Sequence, residues 1–220
     1  MNRDSIALDR PWLAFDLGGQ MNVLSWALNR PGFVKARRIV WREVRDADLP
    51  ENLNVQHWLS QELKDRGEAK SVAFLTSRSI DRFHYVEAEV GNVKARALVT
   101  VGLSNVERVG YRRYAESASH GTINIAAQVN VGLGEAALLE ALSIVVQART
   151  TAILDAEVPL PSGAATGTGT DCVAIAAPSG EILFAGLHTE VGEALGRAVY
   201  EAVFDGAKAW QAEQKLASNG

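Results

Sequence analysis

The chain has a single cysteine, Cys172, among its 220 residues, which excludes an internal disulfide and any multi-cysteine zinc site. Its four histidines, His57, His84, His120 and His188, are scattered, and none forms the i, i+4 pairing of a helical metal site. No metal is therefore expected as a resident cofactor. No uninterrupted apolar run approaches the roughly 20 residues of a membrane span, and Met1 to Arg10 alternates charges without the apolar core of a secretion signal. Charge of one sign is not concentrated either. The 22 basic and 26 acidic residues are interleaved, with a formal charge of −4, so the basic footprint of a general nucleic-acid binder is missing. The expectation is a soluble, cytoplasmic protein acting on a small molecule, with no nucleic-acid or membrane partner and with room for a homo-oligomer.

What is present is apolar residues, 47% of the chain, enough for a substantial core in one domain over 1–220. Trp12 to Leu17 and Met21 to Leu28 read as a hairpin around Gly18-Gly19, followed by a third extended segment, Phe33 to Val44. Asn54 offers a helix cap, Val55, Trp58, Leu59 and Leu63 follow at helical spacing, and Gly67 supplies a stop. Ser71 to Thr76, Arg82 to Val90, Val93 to Gly102 and Gly121 to Asn130 read as strands, the middle pair joined through Gly91-Asn92. A long amphipathic helix spans Gly134 to about Leu154, with Leu138, Leu142, Val145, Val146, Ala152 and Ile153 on one stripe. Cys172 to Ala177 and Glu181 to Gly186 then make a strand pair across Pro178-Ser179-Gly180, and a final helix covers about Thr189 to Lys215. The fold class is α+β, a largely antiparallel or mixed sheet packed by two long helices.

Chemistry concentrates in Ala164-Ala165-Thr166-Gly167-Thr168-Gly169-Thr170-Asp171, where small residues and hydroxyls meet one carboxylate ahead of an apolar strand. Glycines there let a ligand approach the main chain, and successive N–H groups can converge on a carbonyl or oxyanion. The plain alternative is a flexible connection between helix and strand. Cys172 adjoins a carboxylate that opposes thiolate formation, which favours a buried structural thiol. Arg149 falls inside the apolar stripe of the long helix, where it must be paired or serve the terminal carbonyls. Gln147 projects away from that stripe with Ser143 and Thr151. Arg108, Tyr111, Arg112, Arg113 and Tyr114 form a cluster able to engage phosphate or stack on a flat ligand, or simply a solvated loop.

Four segments, Thr100 to Asn105, Gly121 to Ile125, Ala165 to Asp171 and Ala185 to Glu193, stand in the order seen in the adenosylcobinamide amidohydrolase family of corrinoid salvage. The chain resembles that family best over roughly 71–204. The resemblance implies hydrolysis of the amide that joins the aminopropanol arm to the corrin propionate of adenosylcobinamide or a related cobamide, yielding adenosylcobyric acid. Cobalt would then belong to the corrinoid substrate, with no further cofactor.

Amide hydrolysis needs a nucleophile, donors for an oxyanion and an acid for the departing amine. The expected catalytic residues are Asp171, orienting water or a threonine hydroxyl, Thr168 and Thr170 in the bend, and His188 as proton shuttle. The expected substrate contacts are Thr166, Gly167, Gly169, Asn105, Asn124, Gln147, Arg149 and Glu193. Against these, His188 and Glu193 suit a helix start on their own account, and Asn105 and Asn124 can simply bond neighbouring backbone. One departure stands out: the family commonly carries Thr-Glu-Ala-Lys where this chain has Val146-Gln147-Ala148-Arg149. An amide at 147 supplies neither a proton acceptor nor negative charge, so a corrinoid binder without hydrolysis is one alternative. An unrelated acyl-transfer enzyme using Thr166, Thr168 or Thr170 as nucleophile is the other.

Overall fold

The computed structural model describes residues 5–111 and 121–218. Strands β1 (Ile6–Asp9), β2 (Trp12–Ser25) and β3 (Gly32–Glu43) precede helix α1 (Val55–Asp65) and strands β4 (Val72–Thr76), β5 (Phe83–Val90), β6 (Val93–Val101) and the short β7 (Val106–Glu107). Strand β8 (Ile123–Val129) leads into α2 (Glu135–Asp155). The short β9 (Pro159–Leu160), β10 (Gly163–Ala164) and β11 (Gly167–Thr168) follow, then β12 (Cys172–Ala177) and α3 (Glu190–Ser218).

Eight strands form one mixed sheet in the order β4-β3-β2-β12-β8-β6-β5, with β1 on β2. Pairings are antiparallel except β3 with β4 and β8 with β12. Alternation along the strands divides the sheet's side chains between three apolar clusters. On β12, Val173, Ile175 and Ala177 face α2 and α3, whereas Ala174 and Ala176 face a second core with Leu13, Phe15, Ile39, Trp41 and Phe74. Val40 and Ala73 point the other way, onto Leu59 and Leu63 of α1.

The sheet therefore folds over itself between α1 on one side and the α2/α3 pair on the other. Bonds between strands that are not sheet neighbours hold the two halves together: Asn124 Nδ2 on β8 donates to Leu75 O on β4 at 2.8 Å, and Gln128 Nε2 donates to Leu17 O at 3.0 Å. Closely spaced alanines let the two long helices approach, among them Ala137, Ala141 and Ala148 on α2 and Ala194, Ala198 and Ala202 on α3. By length and composition α2 is apolar enough to cross a membrane. Here its apolar surface is used twice, against β12 and against α3, which explains why Leu138, Val145, Ala152 and Ile153 are all buried.

The α+β expectation and most elements hold. The Asn54 cap is made, His57 N donating to Asn54 Oδ1 at 3.0 Å, and Gly67 follows the helix at φ 76. Two elements differ. Residues 12–17 and 21–28 are not a hairpin: β2 runs through, and β3 pairs with both halves. Its register steps from Asp16↔Arg38 to Met21↔Ala36, so the glycines make a bulge instead of a reversal. Gly18, at φ 82, donates its N–H to Asp16 Oδ1 at 2.8 Å within that bulge. Residues 181–186 are not a strand either. Both edges of β12 are already taken by β2 and β8, so the segment has nothing to pair with beyond a bridge from Ile182 to Leu133. Leu183 and Phe184 are left exposed.

Candidate active site

The Thr/Gly bend is a tied structure, not a loose connection. Its two-residue strand β11 pairs with β7, Thr166 N donates to Glu107 O at 2.8 Å, and Gly169 N donates to Asn105 O at 3.1 Å. On its other side Thr170 Oγ1 donates to Gly121 O at 3.0 Å, and Thr122 Oγ1 donates to Thr170 O at 3.0 Å. Gly121 sits where a Cβ would lie 2.6 Å from Ser104 Oγ and 2.8 Å from Asn105 N, so only glycine permits this contact.

Asp171 organises the bend. Its carboxylate accepts the main-chain N–H groups of Ile123 at 3.1 Å and Thr168 at 3.0 Å, the Thr168 hydroxyl, and the guanidinium of Arg149. Four donors occupy the roughly four lone-pair positions of a carboxylate. Burial pulls the Arg149 guanidinium below its ordinary pKa, and the Asp171 carboxylate is its ion-pair partner. The pair passes so near Gly167 that a Cβ there would lie 2.5 Å from Asp171 Oδ2 and 2.6 Å from Arg149 Nη1. The main-chain oxygen of Asp171 accepts the indole N–H of Trp26 at 2.9 Å.

Above the bend lies a cavity of about 620 Å³. Asn105, Thr122, Asn124, Thr170 and Asp171 supply polar atoms, and Trp26, Leu28, Leu49, Phe74 and Leu75 supply apolar wall. Asn124 is fully buried. Its Oδ1 shares the single Thr122 hydroxyl proton with Thr170 O, at 3.2 Å from Thr122 Oγ1, and one of its two N–H groups donates to Leu75 O. Cys172 also borders the cavity; burial pushes its thiol up to about 12 despite a hydrogen bond with Ser25. The thiol is thus protonated and no nucleophile.

Of the expected site residues, Asp171, Thr170, Asn105 and Asn124 border the cavity. Thr166, Gly167, Thr168 and Gly169 form the bend behind it, and Arg149 braces the bend from α2. Thr166 Oγ1 is occupied by Val109 N at 2.8 Å. Three residues are not brought to it. Gln147 lies on the exposed side of α2, two residues and so more than half a turn from Arg149. His188 and Glu193 belong to the other end of the sheet. β12 carries the chain roughly 20 Å away from Asp171 before the segment that holds His188, and that segment is anchored to the N-terminal half of α2 by Ala185 N donating to Glu140 Oε2 at 2.7 Å. His188 is exposed there, and Glu193 pairs with Arg197 one turn on. The expected meeting of Asp171 with an imidazole is therefore not formed.

Arg108 donates to Ala164 O at 2.6 Å and lies over the Tyr111 ring, a role in fixing the bend's approach. Arg112, Arg113, Tyr114 and His120 lie outside the described residues. Among the described residues no group of three or more His, Cys, Asp or Glu side chains is placed to hold a metal ion. Sequence reasoning missed Trp26 and Thr122 among the cavity residues, as it did Arg45, Asp46, Thr76 and Ser77, which also line it. Thr122 looks like any strand threonine, and Trp26 lies within the expected extended segment Met21 to Leu28 with no motif around it.

The model of the adenosylcobinamide amidohydrolase family matches residues 1–215. The chain belongs to the adenosylcobinamide amidohydrolase family. The match takes in the N-terminal strands, and thus Trp26, as well as the four segments that first suggested it. No curated protein matches the chain. Among solved structures, this member of the amidohydrolase family is similar to a Burkholderia sp. beta-aminopeptidase, at 12% identity over 89% of this chain and 78% of that one, with a TM-score of 0.46. It is similar also to a protein from Pyrococcus horikoshii OT3, at 10% identity over 89% and 76%, with a TM-score of 0.44.

Proposed function

We propose that this protein hydrolyses the aminopropanol amide of adenosylcobinamide, or of a related cobamide, to give adenosylcobyric acid. One observation carries the reading. Three of the four family-like segments, distant in sequence, meet on one cavity through Asn105, Thr122 with Asn124, and Thr170 with Asp171. A largely apolar cavity with a few convergent polar groups suits the end of a large ligand presenting one amide.

The polar groups divide the work. Asn124 has one N–H bonded to Leu75 O, and its second is the donor for the substrate carbonyl as charge develops on the oxygen. Thr170 Oγ1 gives its proton to Gly121 O and keeps acceptor lone pairs that can orient a water. Thr168 spends its hydroxyl on Asp171 and stands behind the bend, so water is the nucleophile in this reading: its oxygen bonds the carbonyl carbon, the C–N bond breaks, and the proton the water gives up passes to the departing aminopropanol nitrogen. Asp171, with its acceptor sites filled and its charge balanced by Arg149, holds the bend in shape. The result is a neutral, polar floor matched to an uncharged amide. His188 has no part in it.

The test is incubation of purified protein with adenosylcobinamide and mass spectrometry of the corrinoid. Adenosylcobyric acid with released aminopropanol is expected. Unchanged adenosylcobinamide at high protein concentration would refute the reading.

A further inference from the structure

Trp26 is unlike the other four tryptophans of the chain. Trp12 and Trp41 are buried, and Trp58 and Trp210 pack against core clusters. Trp26 belongs to no cluster and stays 45% exposed at the edge of the cavity, beside Leu28, also 45% exposed. Yet it is not mobile by construction: its indole N–H is bonded to Asp171 O at 2.9 Å, on the same residue whose carboxylate locks the bend. The indole is tied to the bend by that bond, but nearly half of the residue's surface is left in water at the cavity edge. Its free surface is available to a flat partner, and stacking is the interaction an immobilised indole offers with little further loss of freedom.

Resting on the corrinoid reading above, we infer that Trp26 is the stacking platform of the site, binding a planar conjugated ring of the substrate while Asn124 and Thr170 address its amide. Two rings of an adenosylated corrinoid fit that chemistry, the adenine of the upper ligand and the conjugated face of the macrocycle. The bond to Asp171 sets the distance between platform and polar floor, so ring recognition and amide placement are coupled through one residue.

Calorimetric titration with adenosylcobyric acid and with its cyano-capped counterpart, neither of which carries the scissile amide, tests this in the full chain. Trp26→Ala is expected to weaken binding by about tenfold or more, and Trp26→Phe, which keeps a ring, by no more than about threefold. Loss for both ligands assigns the macrocycle to Trp26, and loss for the adenosylated ligand alone assigns the adenine. If Trp26→Ala does not fold, Trp26→Leu replaces it, keeping apolar area without a ring and expected to bind as poorly. Affinities within twofold of the unaltered protein for both ligands would overturn the inference, as would failure of the unaltered protein to bind either. Binding that depends on Trp26 without turnover of adenosylcobinamide would sink the hydrolase reading and leave the platform standing.

Discussion

The guanidinium of Arg149 and the carboxylate of Asp171 form an ion pair across the Cα of Gly167, joining α2 to the Thr/Gly bend with side chains only 14% and 7% exposed. They stand 22 positions apart in the chain. The pair turns a hydroxyl-rich turn into a rigid floor.

Removing either partner leaves a buried charge alone, at a cost of about 3 kcal/mol. Arg149→Met and Asp171→Asn should each lower the free energy of unfolding, measured by denaturant titration, by that amount, and the double variant should lose clearly less than the sum of the two. A double-mutant cycle that comes out additive would show that the pair is not coupled.

Asn124→Ala removes the proposed carbonyl donor. A fall in kcat of about 100-fold is expected, alongside a stability loss of about 1–2 kcal/mol for the Leu75 oxygen left without its donor; the Thr122 hydroxyl keeps Thr170 O. Loss of stability with kcat unchanged would take Asn124 out of the chemistry.

His188→Ala and Gln147→Glu should leave kcat and KM within about twofold, since one side chain stands at the far end of the sheet and the other on the exposed side of α2. Restoring the family's acid at 147 is thus expected to change nothing. A large gain in turnover from Gln147→Glu would mean that α2 presents that side chain to the substrate after all.

His84, on β5, packs against α3, where a Cβ on Gly206 would come within 3.2 Å of its ring. Burial lowers its pKa from 6.5; Arg78 acts in the same direction, while Asp205 and Glu213 oppose it. A depressed folded-state value means the unfolded chain binds the proton more readily, so stability is intact above about pH 6.5 and lost as pH falls toward the folded value. Melting temperatures followed from about pH 7 to 5 should fall more steeply for the unaltered protein than for His84→Gln. Equal slopes would remove His84 as the cause.

Much of this was legible from the residues. Caps, glycine stops and strand alternation are local, and α1, the β5–β6 hairpin and both long helices follow from them. Gly18-Gly19 misled because a glycine pair serves a reversal and a bulge equally well, and only the partner strand β3 decides between them. Glu181 to Gly186 misled because strand pairing needs a free edge, and edge occupancy is a property of the whole sheet. Arg149 was visible as an anomaly within an apolar stripe, but its partner could not be named without the fold. The same limit applies to the site: Asp171 and Asn124 carry suggestive chemistry in their own neighbourhoods, whereas Trp26 reaches the cavity through tertiary contacts alone.

The position of β12 between β2 and β8 has a consequence for synthesis. The strand that joins the two halves of the sheet is the last to be translated, so the growing polypeptide must hold β2 and β8 with open edges until residue 177 has cleared the ribosome. Those edges are sticky, and release of the chain short of that point should yield material that depends on chaperones or precipitates.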